Sequence, residues 1–185
     1  MTIPGRRWVW YGGRPSLDFV NTRRNRETGR AGEVSEAAEY LSDPDDFAAW
    51  LLAAGLRPAG PAVDGETFAG ALALREAISA LVTATVAGDS APTAAVRCVN
   101  TWLALPPQRP VLRLEAGVPV LGPAPAARTP RGVLAMIAAD AADLLGTDLR
   151  ERLRVCPGPG CRGRFLDASP AGRRRWCSMA VCGNR

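Results

Sequence analysis

Four cysteines near the end of the chain, Cys156, Cys161, Cys177 and Cys182, fall into two C-x4-C pairs separated by fifteen residues. A segment of about thirty residues buries too little apolar surface to fold on that alone, so these side chains set the terms on which it folds. The opening "MTIPGRRWVWYGG" lacks an apolar h-region and a small-residue cleavage site, and no run of eighteen apolar residues follows, so the expected location is the cytoplasm, with no membrane contact. In a reducing compartment four thiolates gathered into a tetrahedron are a standard zinc site, favoured here over the alternatives of two disulfides or an iron site. Four protein sulfurs close the coordination sphere, which makes the expected single Zn2+ structural.

The residues between the sulfurs fit that purpose. "CPGPGC" carries two Pro and two Gly, the composition of a tight knuckle whose N–H groups are expected to point at the sulfurs of Cys156 and Cys161. "RGRFLD" reads as a short strand and "ASPAGR" as a turn. Trp176 through Val181 is helix-compatible and is stopped by Gly183 and Asn184, which places the second pair on one helical turn. Phe165, Leu166 and Trp176 supply the little apolar core available, so metal binding provides most of the folding free energy.

Charge separates this segment from the rest. Residues 150–185 hold nine Arg against Glu151 and Asp167, a net +7, whereas residues 1–149 hold fourteen Arg and sixteen acids, a net −2. The tail is the part that faces a polyanion. The chain has no Lys and no His, and the missing imidazole removes Ser-His-Asp and Cys-His catalysis as well as HExxH zinc hydrolysis.

"RRWCSMAVCGNR", preceded by "CPGPGC" and "FLDAS", resembles the CGNR zinc finger, named for its final tetrapeptide, here Cys182 to Arg185. The resemblance implies a small treble-clef-like finger with Cys156, Cys161, Cys177 and Cys182 as zinc ligands. It implies a DNA-binding transcription regulator with Arg173, Arg174, Arg175 and Arg185 near the nucleic acid. Related fingers usually continue past the last Arg with a basic helical tail, whereas this sequence stops there. Three consecutive arginines can still neutralise phosphates, contacts that position a protein without reading bases. Base-specific recognition by so small a finger commonly needs two copies, which makes a homodimer plausible.

Residues 1–149 read as mostly helical, giving a fold that is mainly α with a small β-hairpin (α+β) and two domains, 1–149 and 150–185. "WVWYGG" is a short strand or packed turn, followed by a helix with Ser16 as N-cap and Leu17, Val20 and Phe19 facing inward. A polar, Gly-containing loop follows Arg23. The spacing predicts further helices in "SDPDDFAAWLLAAGL", capped by Ser42; in "ETFAGALALREAISALVTATVAGD"; in "APTAAVRCVNTWLAL"; and in "TPRGVLAMIAADAADLLG", begun by Thr129 and Pro130. "PVLRLEAGVPVLGPA" has the alternation of a hairpin turning at "EAG". Cys98, alone in an apolar helical stretch, reads as a buried inert thiol. "GGRPSLDFVNT" and "LALREAI" resemble the ABATE domain over residues 8 to about 145. In its family that domain precedes a CGNR finger and belongs to stress-induced transcription regulators.

Polar residues embedded in these apolar stretches, Asp18, Asn21, Arg23, Arg75 and Glu76, are the candidates for a small-molecule site. An Asp18–Arg75 ion pair joining two helices accounts for the pattern without a ligand and is the favoured reading. No phosphate loop, catalytic Ser or Cys constellation or paired-carboxylate motif is evident, so an enzyme is not expected. A stress-responsive, zinc-dependent DNA-binding regulator ranks first, then a zinc-scaffolded protein-interaction module, then a small-molecule-binding domain with an accessory finger.

Overall fold

Side-chain caps begin three of the five α-helices in the computed structural model, which describes residues 8–24, 38–56, 62–105, 110–122 and 129–184. The loop expected after Arg23 falls largely outside the described residues, and Arg185 lies outside them too.

Helix α1 (Pro15–Val20) begins two residues earlier than expected, with Arg14 as N-cap and no side-chain cap of its own. Ser16 lies inside the helix, and its N–H and Oγ both donate to Asp140 Oδ2, at 2.9 and 2.5 Å. A carboxylate from another helix thus satisfies the free N–H that an N-cap normally serves. Arg23–Arg24 (β1) pairs antiparallel with Ala38–Glu39 (β2). Helix α2 (Pro44–Ala53) is capped by Asp43, not Ser42: Asp43 Oδ1 accepts the Asp46 N–H at 2.8 Å, while the Ser42 N–H donates to Asp46 Oδ2 at 2.8 Å. The two bonds form a reciprocal cap that Ser42 enters only through its backbone.

Helix α3 (Gly65–Ala87), capped by Asp64 and ended by Gly88 at φ +76°, is the centre of the fold and packs against α1, α2, α4 (Thr93–Leu103) and α5 (Pro130–Gly146). By length and composition α3 could cross a membrane, but Leu74, Ile78 and Val82 are fully buried in the core with Leu134, Ile137 and Leu144 of α5. Phe19, Phe47 and Trp50 make a second focus, with Phe19 and Trp50 ring centroids 5.2 Å apart. Thr129 caps α5 as the sequence implies, its Oγ1 accepting the Gly132 N–H at 3.0 Å. Cys98 is half-buried at the edge of the core rather than inside it.

The hairpin is present as β3 (Val111–Glu115) and β4 (Val118–Gly122), turning through Ala116 and Gly117 at φ +51° and +81°. Two successive positive φ angles are the signature of the turn that matches strand twist. Its register pairs Leu112 with Leu121 and Leu114 with Pro119 on one face, and the three leucines there are 67–73% exposed. The alternation therefore marks the strands, but the leucine face looks outward.

A 3-10 turn (Asp148–Arg152) leads from α5 into β5 (Leu153–Val155), which pairs antiparallel with β6 (Arg164–Leu166). The strands contact α3 and α1 respectively, and Leu153 and Leu166 belong to the main core. Of the apolar residues expected inside the finger, Phe165 is fully buried against the cysteines, Trp176 packs there half-buried, and Leu166 faces the other way. The last helical turn starts later than expected: Trp176–Ser178 is not helical, and a π-type turn spans Met179–Gly183 with the Ser178 Oγ accepting the Val181 N–H at 3.3 Å. Cys177 lies before this turn and Cys182 within it. The bulky Trp176 is held against the cluster in an irregular conformation that the helix pattern did not reveal.

Candidate metal centre

Strand pairing brings the sulfurs together. The β5–β6 ladder joins the two ends of the knuckle: Val155 opposes Arg164, and the Cys156 N–H donates to the Gly163 carbonyl at 2.8 Å. Within the knuckle the Cys161 N–H closes a turn on the Gly158 carbonyl at 3.0 Å. A side chain would crowd the cluster here, since a Cβ on Gly158 would lie 3.3 Å from Cys182 Cβ and 3.4 Å from Cys156 Sγ. The four Sγ atoms of Cys156, Cys161, Cys177 and Cys182 lie within 4.8 Å of one another, and all four residues are buried. Cys161 and Cys177 sulfurs are 3.5 Å apart, and those of Cys177 and Cys182 are 3.7 Å apart. Sulfurs held about 2.3 Å from one zinc ion in a tetrahedron are themselves about 3.8 Å apart, so the spacing and the donor set fit a single structural zinc. When bound, zinc supplies folding free energy and leaves no open position for chemistry.

The surroundings favour charge on one of the sulfurs, that of Cys161. The N–H groups that reach the sulfurs come from Cys177, 3.5 Å from Cys156 Sγ, and from Gly163 toward Cys161, rather than from the Pro-Gly turn itself. Arg24, on β1, donates from Nη2 to Cys161 Sγ at 3.5 Å. The Cys177 thiol above all, then the Gly163 N–H and Arg24, hold the Cys161 thiol far below its usual range, at about 4, against the effect of burial. The same proximity pushes Cys177 in the opposite direction. Four thiolates around one Zn2+ leave two negative charges, which the Arg24 guanidinium partly offsets.

A second layer ties the finger's basic segment down. Asp167, fully buried, accepts at Oδ1 from the Ser169 N–H and hydroxyl (2.9 and 2.6 Å) and at Oδ2 from the Arg174 N–H (2.9 Å). These bonds, led by the Ser169 hydroxyl, hold its carboxyl below the usual range. Arg174 turns inward: Nε donates to the Trp176 carbonyl at 2.9 Å, Nη2 to the Cys177 carbonyl, and the guanidinium stacks 4.9 Å from the Phe165 ring centre. Arg173 and Arg175 on either side are exposed, Arg175 lying 5.6 Å from the centre of the Trp176 ring.

The other sequence candidates divide into three places. The expected Asp18–Arg75 pair is not formed. Arg75, 2% exposed, makes two 2.6 Å bonds to Glu39 and further bonds to Thr22 Oγ1 and Glu76, and Arg23 reaches Glu76 at 3.5 Å. Burial opposes the Glu39 charge, yet the Arg75 fork keeps its carboxyl below the ordinary range. Arg23, Arg75 and Glu76 thus form one network around Glu39, a residue that sequence reasoning missed, since nothing in its polar surroundings marks it. Asp18 instead accepts the Gly12 N–H at 2.8 Å, and burial, partly countered by that bond and aided by Asp140, pushes its carboxyl up to about 6. Asn21 stands apart from both: its side chain bonds the backbone of Arg164 in β6.

Comparison with known families agrees with this arrangement. The ABATE family model, described as "Putative stress-induced transcription regulator", matches residues 13–148. The CGNR zinc finger model matches residues 152–185. Both describe regulator and zinc-finger types rather than enzymes. No curated protein matches the chain. With about three quarters of its length covered by the first family and the four sulfurs of the second gathered in one buried cluster, the chain belongs to the ABATE family and carries a CGNR zinc finger with a single structural zinc site.

Proposed function

We propose that the protein is a cytoplasmic, zinc-dependent DNA-binding transcription regulator, stress-responsive, with residues 150–185 as the DNA-contacting part and residues 1–149 as the part that receives the signal. The observation that carries this reading is the alternation at the triple arginine. Arg174 is engaged inside the finger, and Arg173 and Arg175 extend from it into solvent. Two outward guanidiniums on a metal-fixed base, within a segment of net +7, suit paired phosphates on a duplex. Arg185 joins them in this reading, and Arg174 acts by positioning its neighbours. Such contacts orient the finger without reading bases, so operator recognition requires a second copy of the chain.

The test is a fluorescence-anisotropy titration of labelled random-sequence duplex DNA at low and moderate salt, with and without a zinc chelator. Binding that falls steeply with salt and disappears on chelation supports the reading; zinc-loaded protein that does not bind DNA overturns it. That second result favours a zinc-scaffolded protein-interaction module, a reading that draws on the exposed Leu112, Leu114 and Leu121 of the hairpin.

A further inference from the structure

We propose that a cleft beside the Gly12–Gly13 bend is a binding site for a small organic cation, an ammonium with about seven heavy atoms or fewer. The cleft encloses about 210 Å3 and is lined by Trp10, Gly13, Arg14, Asp18, Trp50 and Leu56 among others. At about 30 Å3 per water molecule it has room for roughly seven water-sized groups, below the size of a drug-like ligand.

Its chemistry selects charge as well as size. The Trp10 and Trp50 ring centroids are 6.0 Å apart with the planes tilted by 30°, and Trp10 is 41% exposed at the mouth. Trp50 is buried behind it, so the exposed Trp10 ring is the indole that presents negative quadrupole to a cation. The basic group in the lining is already engaged: Arg14 bonds Asp140 through Nε at 2.8 Å and Asp143 through Nη2 at 2.7 Å. Asp18 makes no ion pair with it. Asp18 is the carboxylate in the lining, and Asp140 and Asp143 neutralise Arg14 from behind it, so the described charged groups at the cleft disfavour an organic anion and give an isosteric neutral molecule only the apolar part of the contact. The cost of ionising the half-buried Asp18 carboxyl is one that a bound ammonium would relieve.

Occupancy would also be felt by the finger. Gly12 donates its N–H to Asp18 Oδ1 at 2.8 Å and accepts the Leu166 N–H of β6 on its carbonyl, again at 2.8 Å. The bend is packed too closely to yield elsewhere, because a Cβ on Gly12 would lie 2.7 Å from Leu17 Cβ. One residue therefore joins the cleft carboxylate to the strand leading out of the zinc knuckle. This link rests on the regulator reading; the cation site does not.

The test titrates full-length, zinc-loaded protein with tetramethylammonium chloride at constant ionic strength, read by calorimetry and intrinsic tryptophan fluorescence. Sodium chloride, tert-butanol and pivalate serve as controls for salt, neutral shape and anionic shape. Saturable binding of tetramethylammonium alone is expected, weakened about tenfold or more in D18N. Should D18N fail to fold, W10A at the exposed ring carries the same comparison. Equal binding of tert-butanol or pivalate, no saturation up to roughly 0.1 M, or unchanged affinity in the variant overturns the site. If tetramethylammonium binds but hydrogen exchange at the Leu166 amide does not change, the link to the finger fails while the site stands. Absence of DNA binding would remove the regulator reading and leave the cation titration untouched.

Discussion

The side-chain amide of Asn21 and the backbone of Arg164 exchange two hydrogen bonds of 2.8 Å, Nδ2 to the Arg164 carbonyl and the Arg164 N–H to Oδ1. Asn21 follows α1 and Arg164 opens β6, so an amide acts as an additional strand partner for the zinc-bearing ladder. The finger is thereby fastened to the helical region by a buried polar contact as well as by Leu153 and Leu166.

N21A leaves a buried N–H and carbonyl of β6 without these partners, at a cost of about 2 kcal/mol. Chemical denaturation is expected to show this loss, and a chromogenic chelator is expected to withdraw zinc faster from the variant. An unchanged release rate would mean that the fastening does not bear on the metal.

R24A removes the guanidinium beside Cys161 Sγ. Zinc affinity, measured by chelator competition, is expected to fall about tenfold, the lower end of what loss of such an outer partner costs. R24K restores part of it through charge alone. Unchanged affinity in R24A would show that Arg24 touches the cluster without supporting it.

Much of the architecture was legible from local chemistry. Thr129 and Pro130 mark the start of α5, Ala116–Gly117 the hairpin turn, and the two C-x4-C pairs the metal cluster, because each signal lies within a few residues of the structure it creates. Adjacent cap candidates were harder to separate: Ser42 and Asp43 both qualify, and Asp43 wins because its carboxylate reaches the Asp46 N–H. Long-range partners were not legible. Asn21 and Arg164 are 143 residues apart and Arg24 and Cys161 are 137 apart, and no periodicity encodes such meetings. Arg75 is an intermediate case. Its position inside an apolar helix announces that it needs a carboxylate, but not which one; Glu39 arrives opposite Arg23 on a ladder of only two residues per strand, too short to recognise as alternation.

Asp18 makes stability depend on pH in a defined direction. Burial pushes its carboxyl up to about 6 in the folded protein, against 3.8 for an unperturbed aspartate, and the groups beside it are Asp140, the Gly12 N–H and the engaged Arg14. The folded state therefore binds the extra proton between those values: the stabilising contribution of the protonated form is complete below 3.8 and is lost as pH rises through 6. D18N removes this dependence. Relative to wild type it should gain stability as pH rises from about 5 to 7.5, by roughly 1.4 kcal/mol. Denaturation midpoints at the two pH values measure it, and a constant difference would contradict the assignment.

The central claim is that a zinc-fixed finger turns Arg173 and Arg175 to DNA while Arg174 holds the finger together. Its most direct test is the slope of log affinity against log salt for duplex DNA, compared among wild type, the double variant R173A/R175A and R174A. The double variant should keep its zinc and thermal stability and lose about 2 from the slope, close to 0.9 per phosphate contact. R174A should instead lose about 2 kcal/mol of stability with its carbonyl and ring contacts. Wild-type slope and affinity in R173A/R175A, with zinc retained, would contradict the claim.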